Sequence, residues 1–214
     1  MTGVYLGCSV TQRFSAAERR AQIVATTRAM IADEGARSVT LRAVARRCGM
    51  TAPGIKHHFS TMTDLYREVI DQFNDEQNAI VEQIATAAGD DITLIGLADA
   101  LAAYYSEHSD ETRNFDLLEA EAMAPDHPAH GLYPVPAIRP LAVTRYLAER
   151  DYEAPEIVVM ILSLAVDGLR FRWLQKRDGV DIWADWLEVR DELFSCFAKK
   201  PSAPPDPPLM TPRR

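Results

Sequence analysis

Two short helical segments stand back to back between residues 40 and 59, and this pair constrains the fold more than any other stretch of the chain. Thr40 is placed to cap the first, with Leu41, Val44 and Ala45 on one face. Gly49 ends it. Thr51 is placed to cap the second, and Pro53 falls in its first turn, where a missing N–H is tolerated. Two helices joined by a tight glycine turn predict a helix-turn-helix. Residues 52–58 give about 10 Å of helix at roughly 1.5 Å per residue. That suits end-on entry into a DNA major groove about 12 Å wide. Ile55 and Phe59, spaced i and i+4, are expected to face the core, leaving Lys56, His57 and His58 for the outer surface. Gly54 costs a helix about 1 kcal/mol, which predicts a close approach at that position. Arg42 and Arg46 share one side of the preceding helix, placed to meet backbone phosphate.

The rest of the chain reads as helices around this pair. Residues 1–14 form an arm without periodicity. Ser15 to Glu18 fits a capping box, followed by Ile23, Thr27, Met30 and Ile31 at helical spacing up to Gly35. A second box, Thr61 to Asp64, opens a long helix over 62–87 with Leu65, Val69, Phe73, Ile80 and Ile84 as its apolar stripe. Further helices are expected near 92–108, 112–124, 135–150, 155–177 and 181–198. Strand alternation is almost absent, so the fold class is all-α. The tail over 201–214, with six prolines, predicts a disordered, partly polyproline-like extension. The expected organisation is an arm at 1–14, a DNA-binding head at 15–61, a linking helix and helical body at 62–200, and the tail.

Charge sharpens the division. Residues 1–60 carry nine basic side chains (Arg13, Arg19, Arg20, Arg28, Arg37, Arg42, Arg46, Arg47 and Lys56) against Glu18, Asp33 and Glu34. The head is therefore at +6 in a chain whose net charge is −8, leaving −14 on the remainder. A basic head on an acidic body can meet a polyanion with one end only. Hydrophobic residues at 47% and charged residues at 25% exclude wholesale disorder and collagen-like sequence. The longest apolar run, Ile157 to Val166, is interrupted by Ser163 and is too short for a membrane span of about 20 residues. The first ten residues lack the basic and apolar regions of a secretory signal. Cys8, Cys48 and Cys196 form neither a disulfide framework nor a CxxC pair, so a reducing cytoplasm is the expected location.

The run Arg20-Ala21-Gln22-Ile23, the stretch Val39 to Thr51, and Gly54-Ile55-Lys56-His57-His58-Phe59 followed by Leu65 resemble the DNA-binding domain of the TetR family of bacterial transcription regulators. The resemblance covers roughly residues 16–70. It implies a three-helix head, a fourth helix leading to a helical ligand-binding and dimerising body, and repression relieved by a small molecule. DNA contacts then fall to Thr40, Arg42, Arg46, Thr51, Ala52, Gly54, Lys56, His57 and His58. Two positions depart from the family pattern. Lys56 stands where a tyrosine usually touches phosphate, and Met62 stands where a lysine usually does, so one phosphate anchor is lost. Residues 118–130 and 166–174 resemble an actinobacterial-type subgroup with diverse effectors.

In the body, the helix over 155–177 is apolar on most sides, as expected of a helix buried on more than one face. A ligand chamber, apolar with few polar groups, draws its candidates from Leu101, Tyr104, Tyr105, His108, Phe115, Leu118, Glu119, Met123, Met160, Leu164, Asp167 and Phe171. Asp167 is either a polar anchor there or a satisfied buried carboxylate. For a dimer interface the candidates are Ile157, Ile161, Trp183, Trp186, Leu187, Leu193, Phe194 and Phe197, with intramolecular core as the alternative for the aromatic stripe. No hydrolase, zinc-protease, P-loop or dinucleotide motif occurs, so no enzyme activity and no cofactor are expected. His127 and His130 near Asp126 are the concentrated metal-ligand set, and Pro128 between them breaks helical register, so no metal is expected. The expected function is a dimeric regulator, a repressor on a palindromic operator, released by a mostly apolar ligand. The alternative is a helical small-molecule or metal-binding protein whose head has lost specific DNA binding.

Overall fold

A computed structural model describes residues 14–133, 142–175 and 181–201. The described elements are helical: α1 (Ala16–Glu34), α2 (Leu41–Arg47), α3 (Ala52–His58), α4 (Met62–Ala88), α5 (Leu94–Glu107), α6 (Ser109–Glu121), α7 (Ala142–Asp151), α8 (Pro155–Gln175) and α9 (Ile182–Ser195). No strand occurs among the described residues, only an isolated bridge between Tyr152 and Lys199. The arm at 1–13, the prolines at 134, 136 and 140, and all of the tail beyond residue 201 lie outside the described residues, as does Cys8.

Both expected capping boxes are present. The Ser15 hydroxyl accepts the Glu18 amide while the Glu18 carboxylate accepts the Ser15 amide at 2.7 Å. Thr61 and Asp64 do the same at the start of α4, each bond at 3.0 Å. Gly35, Gly49 and Gly89 take positive φ values of 77°, 63° and 63° where the preceding helices stop. α6 begins at Ser109, three residues before its expected start, and ends at Glu121. α7 begins at Ala142 rather than 135, with residues 134–141 undescribed.

The described residues form two compact units, one of those up to 77 with 108–133, the other of 78–107 with those from 142 onward. The first unit thus contains α6, which the sequence reading assigned to the body. Its core joins Ile23, Val24, Met30, Ile31, Val44, Ile55, Phe59, Leu65 and Val69 to Phe115, Leu118, Ala122 and Ala129. Phe115 stacks flat on Phe73 at 3.9 Å between ring centroids. Asn114 Nδ2 donates to the Ala32 carbonyl at 2.6 Å, and the Arg28 guanidinium pairs with Glu76 of α4 and Glu111 of α6. Thr63 Oγ1 donates to the Pro128 carbonyl at 2.7 Å, holding the loop after α6 against α4.

The second unit packs α5 on α9 and α8 on α7 and α9. Its core includes Leu94, Leu97, Leu147, Tyr152, Val158, Leu162, Leu169, Trp186, Phe194 and Phe197. One polar group is built into it: Trp186 Nε1 donates to Asp99 Oδ1 at 2.7 Å, and Arg190 pairs with the other Asp99 oxygen at 2.8 Å. This corrects the interface assignment of three residues. Trp186, Phe194 and Phe197 are buried in their own unit at 1%, 6% and 9% exposure, because an edge-to-face aromatic cluster with Tyr152 takes up their surface. Ile161, Trp183 and Leu193 are half-buried against the same core. Ile157 and Leu187 remain exposed, as an interface requires.

α8 also departs from burial on several sides. Val158, Val159, Leu162, Leu169 and Trp173 face its own unit, while Ile157, Met160, Leu164 and Phe171 face outward at 49%, 52%, 65% and 59% exposure. No described helix is long and apolar enough to cross a membrane.

Candidate nucleic-acid interface

The α2–α3 pair is held from within and open on its outer side. Val44, Ala45 and Cys48 of the first helix and its end are buried, as is Ile55 of the second, and α1 packs against both. The turn is closed by Met50 N donating to Ala45 O at 2.8 Å across Gly49. Thr40 Oγ1 accepts the Ala43 amide and Thr51 Oγ1 the Gly54 amide, each at 3.2 Å.

All nine sequence-predicted DNA-binding residues fall on this unit. Thr40, Arg42, Arg46, Thr51, Lys56 and His57 are exposed, and Ala52, Gly54 and His58 are half-buried. The approach at Gly54 is internal rather than to a ligand. A Cβ there would stand 3.3 Å from Met50 Cε and 3.3 Å from the Thr51 hydroxyl, so the missing side chain makes room for the cap and its neighbour. The His57 and His58 rings meet edge to face at 5.5 Å. Burial pushes the His58 imidazole below its ordinary pKa, and the charges of His57, Arg19 and Arg20 push the same way.

The basic count of the head shrinks once ion pairs are drawn. Arg20 pairs with Glu68, Arg28 with Glu76 and Glu111, Arg37 with Glu121, and Arg47 with Glu34. Four cations that the sequence offers to a polyanion are thus engaged inside the unit. Among the described residues, Arg42, Arg46 and Lys56 make no ion pair, and all three lie on α2 and α3. Met62, at the departed anchor position, packs against the core.

The ligand candidates divide between the two units. Phe115 and Leu118 are closed within the first core, at 3% and 0% exposure, because α6 completes that core. Met123 is 74% exposed just beyond α6, and Met160, Leu164 and Phe171 lie on the outward face of α8. His108 is exposed, and Glu119 is half-buried. Leu101, Tyr104 and Tyr105 remain half-buried on α5, the two tyrosine rings 6.0 Å apart. Asp167 is half-buried and pairs with Arg170 one turn on at 3.4 Å.

His127 and His130 serve the loop after α6. His127 Nδ1 accepts the Ala129 amide at 3.1 Å, and His130 Nδ1 meets the Ala122 carbonyl at 3.0 Å. Three or more metal-ligating side chains do not converge anywhere among the described residues. Arg20 is the residue that sequence reasoning passed over. Its partners lie 38 and 48 positions away, and its only signal was its place at the head of the family-like run.

Residues 23–69 match the family described as bacterial regulatory proteins, tetR family. No curated protein matches the chain. A structure described as the molecular basis for control of antibiotic production by bacterial hormones is 20% identical, with a TM-score of 0.62, over 85% of this chain and 97% of that one. A candidate TetR-family transcriptional regulator from Rhodococcus is 19% identical, with a TM-score of 0.57, over 82% and 98%. Another from Mesorhizobium loti is 13% identical at the same TM-score, over 87% and 100%. Residues 23–69 are thus similar to the family of bacterial regulatory proteins, tetR family, and the chain shares its helical fold with these solved structures.

Proposed function

We propose that the protein is a dimeric repressor that places α3 of each subunit in a major groove and leaves its operator when a small, mostly apolar ligand binds. The observation that carries the DNA contact is the cluster of Arg42, Arg46 and Lys56, exposed and without ion-pair partners among the described residues. Cations in that state gain most from phosphate, since none surrenders a carboxylate to bind. Thr51, Lys56 and His57 then read base edges, and Arg42 and Arg46 sit on the backbone.

The outward stripe of Ile157, Met160, Leu164 and Phe171 on α8 supports the dimer. Its spacing follows one helix face, and Leu187 and Val189 of α9 are also exposed. A pair of such faces closes into a four-helix bundle and sets two heads about 34 Å apart, one turn of DNA. The ligand reading rests on α5, where Leu101, Tyr104 and Tyr105 combine apolar bodies with polar tips. The relative described in connection with bacterial hormones supports a signal-responsive regulator. A cytoplasmic site of action belongs to the same proposal.

The test is selection of duplexes from a random pool by the purified chain at near-physiological salt. Enrichment of a short palindrome is the expected result. A folded dimer that enriches nothing, with or without cell extract, overturns the reading in favour of a head that no longer binds specific DNA.

A further inference from the structure

Arg20 lies on α1, outside the helix-turn-helix, yet it grips the downstream end of α3. One of its terminal nitrogens donates to the His58 carbonyl at 2.5 Å. The other pairs with the Glu68 carboxylate on α4. Its guanidinium carbon stands 3.9 Å from the centroid of the Phe59 ring, which is 1% exposed.

Each contact removes a freedom that α3 otherwise has. A seven-residue helix is too short to hold its own geometry, so its position comes from what fixes its ends. Upstream, the Thr51 cap and the buried Ile55 do this. Downstream, the last carbonyls have no partner within the helix, and Arg20 supplies a charged donor to one of them. The guanidinium is planar, so its two donors and its stacking face are rigidly related. Phe59 locks the face, and Glu68 locks the far edge. Lys56 and His57 sit between the two clamps.

We infer that Arg20 is a positioning residue for base reading: it sets where the C-terminal half of α3 lies, and therefore whether Lys56 and His57 meet base edges in register. Its own charge is held by Glu68, so it does not serve as a phosphate anchor. The inference rests on the DNA-binding reading above.

The experiment uses the full chain and two probes: the duplex most enriched by the wild-type protein from a random pool, and a random-sequence duplex of equal length. Fluorescence anisotropy at several salt concentrations gives affinity and salt slope for both. Arg20→Met keeps the stem, and Arg20→Lys keeps the charge but cannot bridge both partners. Both are expected to lose about tenfold or more on the enriched duplex, the size of one misplaced base contact. Affinity for the random duplex and both salt slopes should not move. Equal losses on both probes with a shallower slope would make Arg20 a phosphate contact and overturn the inference. Undiminished discrimination would overturn it as well. Glu68→Gln leaves the carbonyl bond and the stacking intact, so it stands in if the Arg20 variants fail to fold; a smaller loss confined to the enriched duplex is expected, and no loss counts against the inference. Failure of the wild-type chain to enrich any sequence is a separate outcome, and it removes the functional reading itself.

Discussion

Thr51 does two things with one hydroxyl, since the oxygen that caps α3 also stands at the edge of the proposed DNA surface. Thr51→Ala should cost about 1 kcal/mol of stability in urea denaturation and should also weaken binding to a selected duplex. Thr40→Ala, which removes the equivalent cap from α2, should match it in stability loss. His58 offers a second check. Burial and its cationic neighbours hold its pKa down, so the unfolded chain takes up this proton first as the pH falls. Its contribution to stability is therefore present above about pH 6.5 and is lost as the pH drops towards the folded value. Phosphate works in the opposite direction. The His58 ring should titrate in NMR with a midpoint below the ordinary imidazole value, and that midpoint should rise when duplex is added. Single residues were unevenly legible. Caps depend on partners three residues away, so Ser15, Thr40, Thr51 and Thr61 could all be read from spacing. The gap at Gly54 was legible as a need for space, but the neighbour that fills it was not. Arg20 was illegible because nothing local marks a contact 48 positions away.

α6 shows where pattern reading stops. Its apolar residues repeat at helical spacing, and that period announces a buried face without naming what covers it. The sequence suggested a ligand chamber; the cover is α1 and α4, through Phe115 on Phe73 and Leu118 in the core. Its start was misjudged for a related reason, since His108 provides no side-chain cap. α9 repeats the lesson, with an aromatic stripe that reads as an interface and folds inward onto Tyr152 and Asp99. Leu118→Ala should therefore cost about 2–5 kcal/mol, as a fully buried leucine does. The loss should appear in the unfolding of the DNA-binding unit, followed by hydrogen exchange at the amides of α1 and α4. If those amides exchange as in the wild type, α6 is not part of that unit's stability.

Assembly gives the remaining predictions. Leu164→Glu places a charge in the middle of the exposed α8 stripe, so under the proposed assembly sedimentation should show a dimer for the wild type and a monomer for the variant. The three cations of α2 and α3 that make no ion pair among the described residues also bound the electrostatics. If Arg42, Arg46 and Lys56 each neutralise one phosphate in both subunits, log affinity should fall with log salt at a slope of about −5. A slope near the value that all nine basic residues of the first 60 would give means that the internal ion pairs open on DNA. The completion of the first core by Leu118, Ala122 and Ala129 has a consequence for exchange of parts between regulators. A gene fusion that cuts after α4 and grafts on a foreign body would carry away a wall of the head along with the discarded half. The inheritable block here is discontinuous: residues up to 77 travel intact only with 108–133. Recombination within this architecture should then succeed by swapping the intervening segments into a retained frame, rather than by joining two halves end to end.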